Sequence, residues 1–220
     1  EPTDLTNLEE FNRNLTQPGN LQKLKEKVFR NSPEHCRKSI SLSARRFKRK
    51  VGELLSSEVL QILQYRFQRA QADPEKMLPS PVQRKAPGAT VVAIHIRRGD
   101  VSVKNTSRFT PNRFYLKLAR ALSRSDKFQN IEFHVFSQGM KEDFSELADA
   151  GMTLHLEDSI LFTISSMISA DVLVTAKSSF SYIAAVFASL QTPRPVVLYI
   201  PQYNPPMMPW WRDAVEVVKK

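Results

Sequence analysis

Residues 91–100, Val-Val-Ala-Ile-His-Ile-Arg-Arg-Gly-Asp, combine an apolar run with a charged end. The first half of this stretch is an apolar run rich in β-branched residues, which is typical of a strand buried on both faces of a sheet. The run ends at Arg97 and Arg98, and Gly99 then permits a tight turn before Asp100. The stretch therefore predicts a central strand whose polar residues emerge at its carboxyl end, where parallel α/β sheets bind their ligands.

From residue 89 onward, short apolar runs alternate with helical patterns. The predicted strands are Thr90–Ile96, Ile131–Phe136, Met152–Leu156, Asp171–Thr175 and Pro195–Ile200. The predicted helices are Asn112–Ser123, Met140–Ala150, Ser159–Ser169, Ser179–Leu190 and roughly Met208–Val218. This alternation indicates an α/β fold over residues 89–220, a Rossmann-like parallel sheet with helices on both faces.

Residues 1–88 are predicted to form a helical N-terminal segment and a proline-rich linker. Helices are expected at about Leu21–Arg30 and over Ser43–Ala70, where apolar residues recur at three- and four-residue steps. Prolines cluster in residues 72–90, which indicates the linker. The basic run at residues 45–50 is interpreted as a solvated helix end, because no base-reading motif accompanies it. The alternative is that it binds nucleic acid or phospholipid.

The composition limits the class of protein and its location. A formal net charge of +10 suits an anionic ligand, but it does not choose among nucleic acid, membrane surface and nucleotide phosphate. The single cysteine, Cys36, allows no internal disulfide, which fits a reducing cytoplasm, whereas sequons at Asn14 and Asn105 fit the secretory pathway. No apolar run is long enough to span a membrane. Because the chain begins at Glu1, we expect a processed chain or a fragment, with membrane contact only through a segment outside it.

Two arginines at the end of the first predicted strand are candidate phosphate ligands. A guanidinium group presents a planar fork of donors that fits phosphate oxygens two at a time. Asp100 is placed to accept from an arginine and to fix its rotamer, and His95 lies two residues before Arg97, on the same side of the strand. The alternative is a surface loop with an ion pair beside a core histidine. The position at the strand's carboxyl end favours a ligand site.

Polar residues also follow the other predicted strands. Ser178 and Ser179 stand where a strand gives way to an apolar helix, and the free N–H groups of a helix N-terminus bind anions. Ser137 is placed to contact the sugar or base of a nucleotide, and Asp158 to accept from the amino and ring N–H groups of guanine. Each of the four also has a structural alternative, either helix capping or an ordinary strand-to-helix turn.

Several familiar site signatures are missing from the sequence. It contains no Gly-x-Gly-x-x-Gly, no Walker loop and no His, Cys and Asp cluster with metal-ligand spacing. It also lacks an Asp-x-Asp tripeptide, which disfavours a metal-dependent sugar transferase. We therefore expect no metal site and no bound cofactor.

The motifs and their order resemble the α1,2-, α1,6- and protein O-fucosyltransferases. Residues 95–100, His-Ile-Arg-Arg-Gly-Asp, match the His-x-Arg-Arg-x-Asp motif of that superfamily. Residues 135–138, Val-Phe-Ser-Gln, are similar to a segment of the α1,2 group. Residues 158–185 are similar to its last motif, which runs from an acidic residue to Ser-Ser-Phe-Ser at the start of a helix. The resemblance covers about residues 90–200 and does not cover residues 1–88.

The resemblance implies the donor half of the two-Rossmann (GT-B) architecture in a Golgi or endoplasmic-reticulum glycoprotein. The enzyme would transfer fucose from GDP-fucose to a glycan or protein acceptor, with inversion and without metal. The chain departs from the α1,2 group at Ser181 and Tyr182, where that group usually continues with tryptophan. The alternative is a non-catalytic module that binds an anion or nucleotide and engages a partner through its basic helix. Nucleic acid is the disfavoured partner.

The resemblance also implies roles for individual residues. Arg97 would hold the β-phosphate and stabilise the departing GDP, with Arg98 in support and Asp100 bracing both. Ser178 and Ser179 would take phosphate oxygens, and Asp158 would bind guanine. Apart from the resemblance, the residues suggest His95 as a candidate base, although a core or ligand-orienting role is favoured for it. They also suggest Ser137 as a contact to the nucleotide-sugar donor.

Overall fold

β1 (Val91–His95) is a central strand of a six-stranded sheet in the computed structural model, which describes residues 57–102, 107–201 and 207–219. The other strands are β2 (Glu132–Ser137), β3 (Thr153–Leu156), β4 (Val172–Val174), β5 (Val196–Tyr199) and β6 (Arg212–Asp213). Their order across the sheet is β3-β2-β1-β4-β5-β6, and every neighbouring pair is parallel. The chain therefore builds the sheet outward from β1 in one direction and then in the other.

Helices connect and cover these strands. Their bounds are α1 (Ser57–Gln71), α2 (Asn112–Ser123), α3 (Ser145–Asp149), α4 (Ile160–Ser169), α5 (Ser179–Ala188) and α6 (Ala214–Lys219). α2 begins and ends at the residues that the sequence predicts, because its buried side chains recur at three- and four-residue steps: Tyr115, Leu118, Ala119 and Leu122.

Successive side chains of β1 enter two different hydrophobic cores. Val92 and Ile94 pack with residues of α2, α3 and α6, whereas Val91 and Ala93 pack with residues of α4 and α5. Because side chains alternate along a strand, the apolar run fills both faces at once. The structure thus confirms the predicted α/β fold, a Rossmann-like parallel sheet with helices on both faces.

The predicted helix Met140–Ala150 is wrong as a single element. Residues Lys141–Phe144 form a 3-10 turn, and α3 begins only at Ser145. The Oδ2 atom of Asp143 accepts from the backbone N–H of Met140 at 3.1 Å, which tightens this turn. A period of 3.6 residues cannot distinguish the two kinds of helix over so short a stretch.

The predicted helix at Met208–Val218 starts too early. Arg212–Asp213 instead forms β6, which pairs with β5 at the edge of the sheet. The Oδ1 atom of Asp213 then accepts from the backbone N–H of Val215 at 2.7 Å, so Asp213 caps α6 and fixes its start at Ala214. The pairing and the cap together set the boundary.

The proline-rich segment and α1 lie against the α4–α5 face of the sheet. The backbone N–H of Val82 donates to Ser166 Oγ at 3.1 Å, and Gln64 Nε2 donates to the Leu190 carbonyl at 3.1 Å. Arg84 Nη2 donates to Asp171 Oδ1 at 2.8 Å, beside the start of β4. These contacts attach residues that precede β1 to the face of the sheet domain.

Other predictions fall outside the described residues. They include the helix at about Leu21–Arg30, the first part of the helix Ser43–Ala70, the basic run at 45–50 and both sequons. Among the residues that the structure does describe, no helix is long and apolar enough to cross a membrane.

Two adjacent tryptophans provide a test of the α5 face. We expect Trp211→Ala to lower the free energy of unfolding by about 3–5 kcal/mol, because the ring packs on Tyr182 and Tyr199 and its Nε1 donates to Ser189 Oγ at 2.8 Å. Trp210→Ala is the matched control, since that ring is 39% exposed, and should cost less than about 1 kcal/mol. Urea denaturation measures both, and similar losses would contradict this packing.

Candidate functional site

A cleft of about 400 Å³ opens at the carboxyl ends of β1 to β4. The chain builds β2 and β3 on one side of β1 and β4 to β6 on the other, so the strand order reverses between β1 and β4. Parallel sheets bind ligands at such reversals, because neighbouring connections leave the sheet toward opposite faces and open a crevice. The cleft brings together all eight site residues that the sequence predicts: His95, Arg97, Arg98, Asp100, Ser137, Asp158, Ser178 and Ser179.

Arg97 follows β1 by two residues and is held from two directions. Its Nε and Nη2 donate to the two carboxylate oxygens of Asp100 at 3.1 and 2.6 Å, and its Nη1 donates to the Lys177 carbonyl at 3.1 Å. Hydrogen bonds from Arg97 lower the pKa of Asp100, so the carboxylate stays ionised and braces the guanidinium. A guanidinium has five N–H groups. Of those in Arg97, one on Nη1 and one on Nη2 have no protein acceptor within the described residues.

Arg98 serves the protein scaffold. Its guanidinium donates to the carbonyls of Arg97 and Thr110 at 2.9 and 3.1 Å, and to Asn112 Oδ1 at 2.8 Å. The group also lies over the ring of Phe109, 4.2 Å from its centroid. Burial lowers the pKa of Arg98 from its ordinary value. Arg98 therefore fastens the turn after β1 to the start of α2, and this positions Arg97.

The backbone conformation of the turn at Gly99 favours a glycine. Its φ is +74°, a left-handed conformation that side chains disfavour. A Cβ atom there would also lie 2.6 Å from Gln138 Oε1. The close approach joins the loops after β1 and β2, on one wall of the cleft.

His95 ends β1 beneath the cleft. Its ring packs against Phe180 with centroids 5.4 Å apart, and within the described structure its Nδ1 has no hydrogen-bond partner. Burial, assisted by the positive charge of Arg97, lowers the pKa of His95 to about 4. The imidazole is therefore neutral at pH 7, which leaves an uncharged aromatic floor below the arginine.

The start of α5 forms the wall beside Arg97. Ser178 is the N-cap, because its Oγ accepts from the backbone N–H of Phe180 at 3.2 Å. Ser179 is exposed in the first turn. Its side chain and the partial positive charge of the helix N-terminus face the cleft together. The structure thus assigns capping to Ser178 and leaves the Ser179 hydroxyl available to a ligand.

The opposite wall carries carboxylates at the end of β3. Ser159 caps α4 by accepting from Phe162 N–H at 3.2 Å, so Asp158 is not needed as the cap. Asp158 Oδ2 lies 3.3 Å from His155 Nδ1, and the other nitrogen of that ring lies 3.0 Å from His134. The Asp158 carboxylate is therefore held from behind by a histidine pair while it lines the cleft.

Ser137 and Glu157 brace the loops of the cleft. Ser137 Oγ donates to the Ile96 carbonyl at 2.8 Å, which ties the end of β2 to the residue after β1. Glu157 Oε1 accepts from the backbone N–H of Gly139 at 2.8 Å. Both groups hold neighbouring loops at fixed distances along the carboxyl edge of the sheet.

The sequence reasoning missed several residues of the cleft. These are Phe136 on β2, Ile96 directly after β1, Glu157 on the loop after β3, and residues in the first turns of two helices: Ile160, Thr163 and Phe180. The three helix residues could have been predicted from the sequence, because any residue in the first helical turn after a strand lies near the carboxyl edge of a parallel sheet. Across the described residues, no group of three or more His, Cys, Asp and Glu side chains is arranged to hold a metal ion.

Comparisons with known proteins give little information about this site. No family model matches the chain, and no curated protein matches it. A solved structure, the crystal structure of POFUT1 in complex with GDP, is similar at a TM-score of 0.35 with 16% sequence identity. The similarity covers 66% of this chain and 50% of that chain, so it spans half the length of POFUT1.

Acid should lower the free energy of unfolding because His95 is buried in its neutral form. Between its unfolded pKa of about 6.5 and its folded pKa of about 4, the unfolded chain binds a proton that the folded chain excludes. The free energy of unfolding should therefore fall by roughly 3 kcal/mol more in the wild type than in His95→Gln as the pH drops from 7 to 4.

The measurement is urea denaturation of both proteins at a series of pH values. His134 and His155 titrate in both proteins, so the difference between the two curves isolates His95. Parallel curves would mean that His95 accepts a proton without unfolding, which would contradict its burial.

Proposed function

We propose that this protein is a glycosyltransferase that takes its sugar from a nucleotide diphosphate, with GDP-fucose as the preferred donor. The observation that carries the proposal is Arg97, whose two remaining N–H groups lie at the cleft beside the start of α5. A diphosphate needs positive charge and N–H donors from more than one direction, and this corner of the cleft supplies both.

The phosphates would bind between Arg97 and the α5 N-terminus. Asp100 neutralises part of the Arg97 charge and prevents the side chain from turning away, so little conformational entropy is lost when a phosphate binds. Ser179 adds a hydroxyl on the other side of the same space. Fixed N–H donors of this kind stabilise a leaving diphosphate without a metal ion.

The reaction would proceed as a direct displacement. An acceptor oxygen attacks C1 of the sugar, and the bond from C1 to the β-phosphate oxygen breaks on the opposite face, which inverts the anomeric centre. The electron pair goes to the phosphate oxygen, where Arg97 and the helix N-terminus stabilise the new charge. The acceptor proton leaves to a base or to solvent. A pKa of about 4 makes His95 a weak base at pH 7, which favours a role in orienting the ligand.

Asp158 is the residue we assign to guanine. An ionised carboxylate accepts two hydrogen bonds at once and matches the adjacent ring and amino N–H groups of guanine. Uracil and adenine do not present that pair of donors. The histidine pair behind Asp158 limits its rotation, so its oxygens remain directed along the wall of the cleft.

Substitution of Arg97 tests the diphosphate site. We expect Arg97→Ala to weaken GDP binding by about 2–5 kcal/mol, about 30-fold to several thousand-fold, because a charged partner of the phosphate is lost. Calorimetry with GDP and GDP-fucose gives the affinities, and a transfer assay with glycan acceptors gives the activity. Arg69→Ala removes an exposed arginine on α1 and is the matched control.

The result separates the enzyme from a simple binding module. Unchanged GDP affinity in a folded Arg97→Ala protein would remove the assignment of the site. If the wild type binds GDP tightly but neither hydrolyses GDP-fucose nor transfers its sugar, the non-catalytic nucleotide-binding module replaces the transferase.

Substitution of Asp158 tests the choice of base. We expect Asp158→Asn to weaken GDP by about 1–3 kcal/mol while UDP affinity changes little, because the new amide donor opposes an N–H group of guanine. Competition by GDP, UDP and ADP for a fluorescent GDP analogue measures this selectivity. An equal loss for all three nucleotides would show that Asp158 supports the cleft without reading the base.

A further inference from the structure

A second cleft, of about 530 Å³, lies where α2 packs against α6, and it shares no lining residue with the first. We call it the basic groove. Its rim carries five cations: Lys117, Arg120, Arg124, Lys127 and Arg212. Its floor is apolar and is formed mainly by Phe128, Val196, Leu198, Val217 and Val218. The groove thus combines an open apolar surface with charge of one sign.

Among the described residues, no ion pair offsets the positive charges of the rim, although Asp126 precedes Lys127 in the sequence. Throughout 57–102, 107–201 and 207–219, no acidic side chain pairs with any of the five cations, and no acidic residue lines the groove. The acids of the neighbouring α6 region act elsewhere, since Glu216 pairs with Lys219 at 2.6 Å and Asp213 caps the helix. Like charges gathered around a low-dielectric floor produce a field that attracts anions.

Helix capping explains only part of this arrangement. Basic residues at the end of a helix interact favourably with its dipole, which accounts for Arg120 and Arg124 at the end of α2. It does not account for Arg212, which reaches the same groove from β6 at the edge of the sheet. It also leaves the apolar floor open. The cations therefore converge from separate elements on one surface.

We propose that the basic groove binds an anionic amphiphile, a molecule with a phosphate, sulfate or carboxylate head and a short apolar tail. The tail would cover the apolar floor, and the head would lie among the rim cations. A volume of about 530 Å³ falls within the range of about 300–1,000 Å³ that holds small organic ligands. The basic groove is separate from the cleft at the carboxyl ends of β1 to β4, and the proposal does not depend on the function of that cleft.

Decyl phosphate, used below its micelle concentration, is the probe. Titration calorimetry should show binding that is about tenfold or more tighter than that of inorganic phosphate, which lacks the tail, and of decyl maltoside, which lacks the charge. Equal affinity for decyl phosphate and inorganic phosphate would overturn the proposal, because the apolar floor would then contribute nothing.

Charge reversal locates the site. Arg120→Glu with Arg124→Glu should weaken decyl phosphate about tenfold or more, whereas Arg66→Glu with Arg69→Glu makes the same change of net charge on exposed positions of α1 and should have little effect. Ala121→Phe keeps the charge but fills the groove, and should weaken binding as well. Urea denaturation of each variant confirms that it is folded. Equal losses in the two double variants would mean that net charge alone attracts the probe.

Vesicles distinguish a free amphiphile from a lipid head group. Sedimentation with phosphatidylcholine vesicles that contain phosphatidylglycerol tests the membrane source, and the two double variants serve again. Binding to monomeric decyl phosphate but not to vesicles assigns the groove to a free molecule, whereas vesicle binding that only the α2 variant loses assigns it to a membrane lipid. If neither probe binds through Arg120 and Arg124, the proposal is wrong.

Discussion

Burial of β1 on both faces determines where the chain can place charged residues. Val92 and Ile94 are fully buried in one core and Ala93 in the other, so no charged side chain fits along the strand. The chain can place Arg97 only after the strand has left the core. That exit lies at the point where the strand order reverses, and the position of the cleft follows from the packing of the sheet.

The adjacent arginines divide the work of the site. The guanidinium of Arg98 donates hydrogen bonds to two backbone carbonyls and to Asn112 Oδ1, which fixes the loop between β1 and α2. Arg97 has two N–H groups left within the described structure, because Asp100 and the Lys177 carbonyl take the other three. The Arg98 guanidinium is partly buried, and these acceptors offset the cost of removing its N–H groups from water.

The sequence predicted the sheet well because a strand buried on both faces leaves a continuous apolar run, and α2 because its apolar face repeats regularly. It could not predict the start of α6, since the Asp213 cap and the pairing of β6 are details that periodicity does not contain. All eight predicted site residues lie in one cleft, because carboxyl ends of parallel strands meet at one edge. The resemblance implied that Arg98 supports Arg97, but only the structure shows how, because the contacts of Arg98 with Thr110 and Asn112 cross the turn after β1.

The distribution of charge explains why net charge alone could not identify a ligand. In the cleft at the carboxyl ends of β1 to β4, Asp100 offsets the charge of Arg97, so the direction of the remaining N–H groups distinguishes this cleft more than its net charge does. Among the described residues, no acidic side chain lines the basic groove, and Arg212 joins the α2 cations because β6 pairs with β5 at the edge of the sheet. Residues far apart in sequence therefore place their positive charges around one groove. Positive charge therefore differs in effect between the two clefts. In the first, the ion pair with Asp100 fixes the direction of the Arg97 N–H groups. In the basic groove, cations without an acidic partner among the described residues would attract an anion.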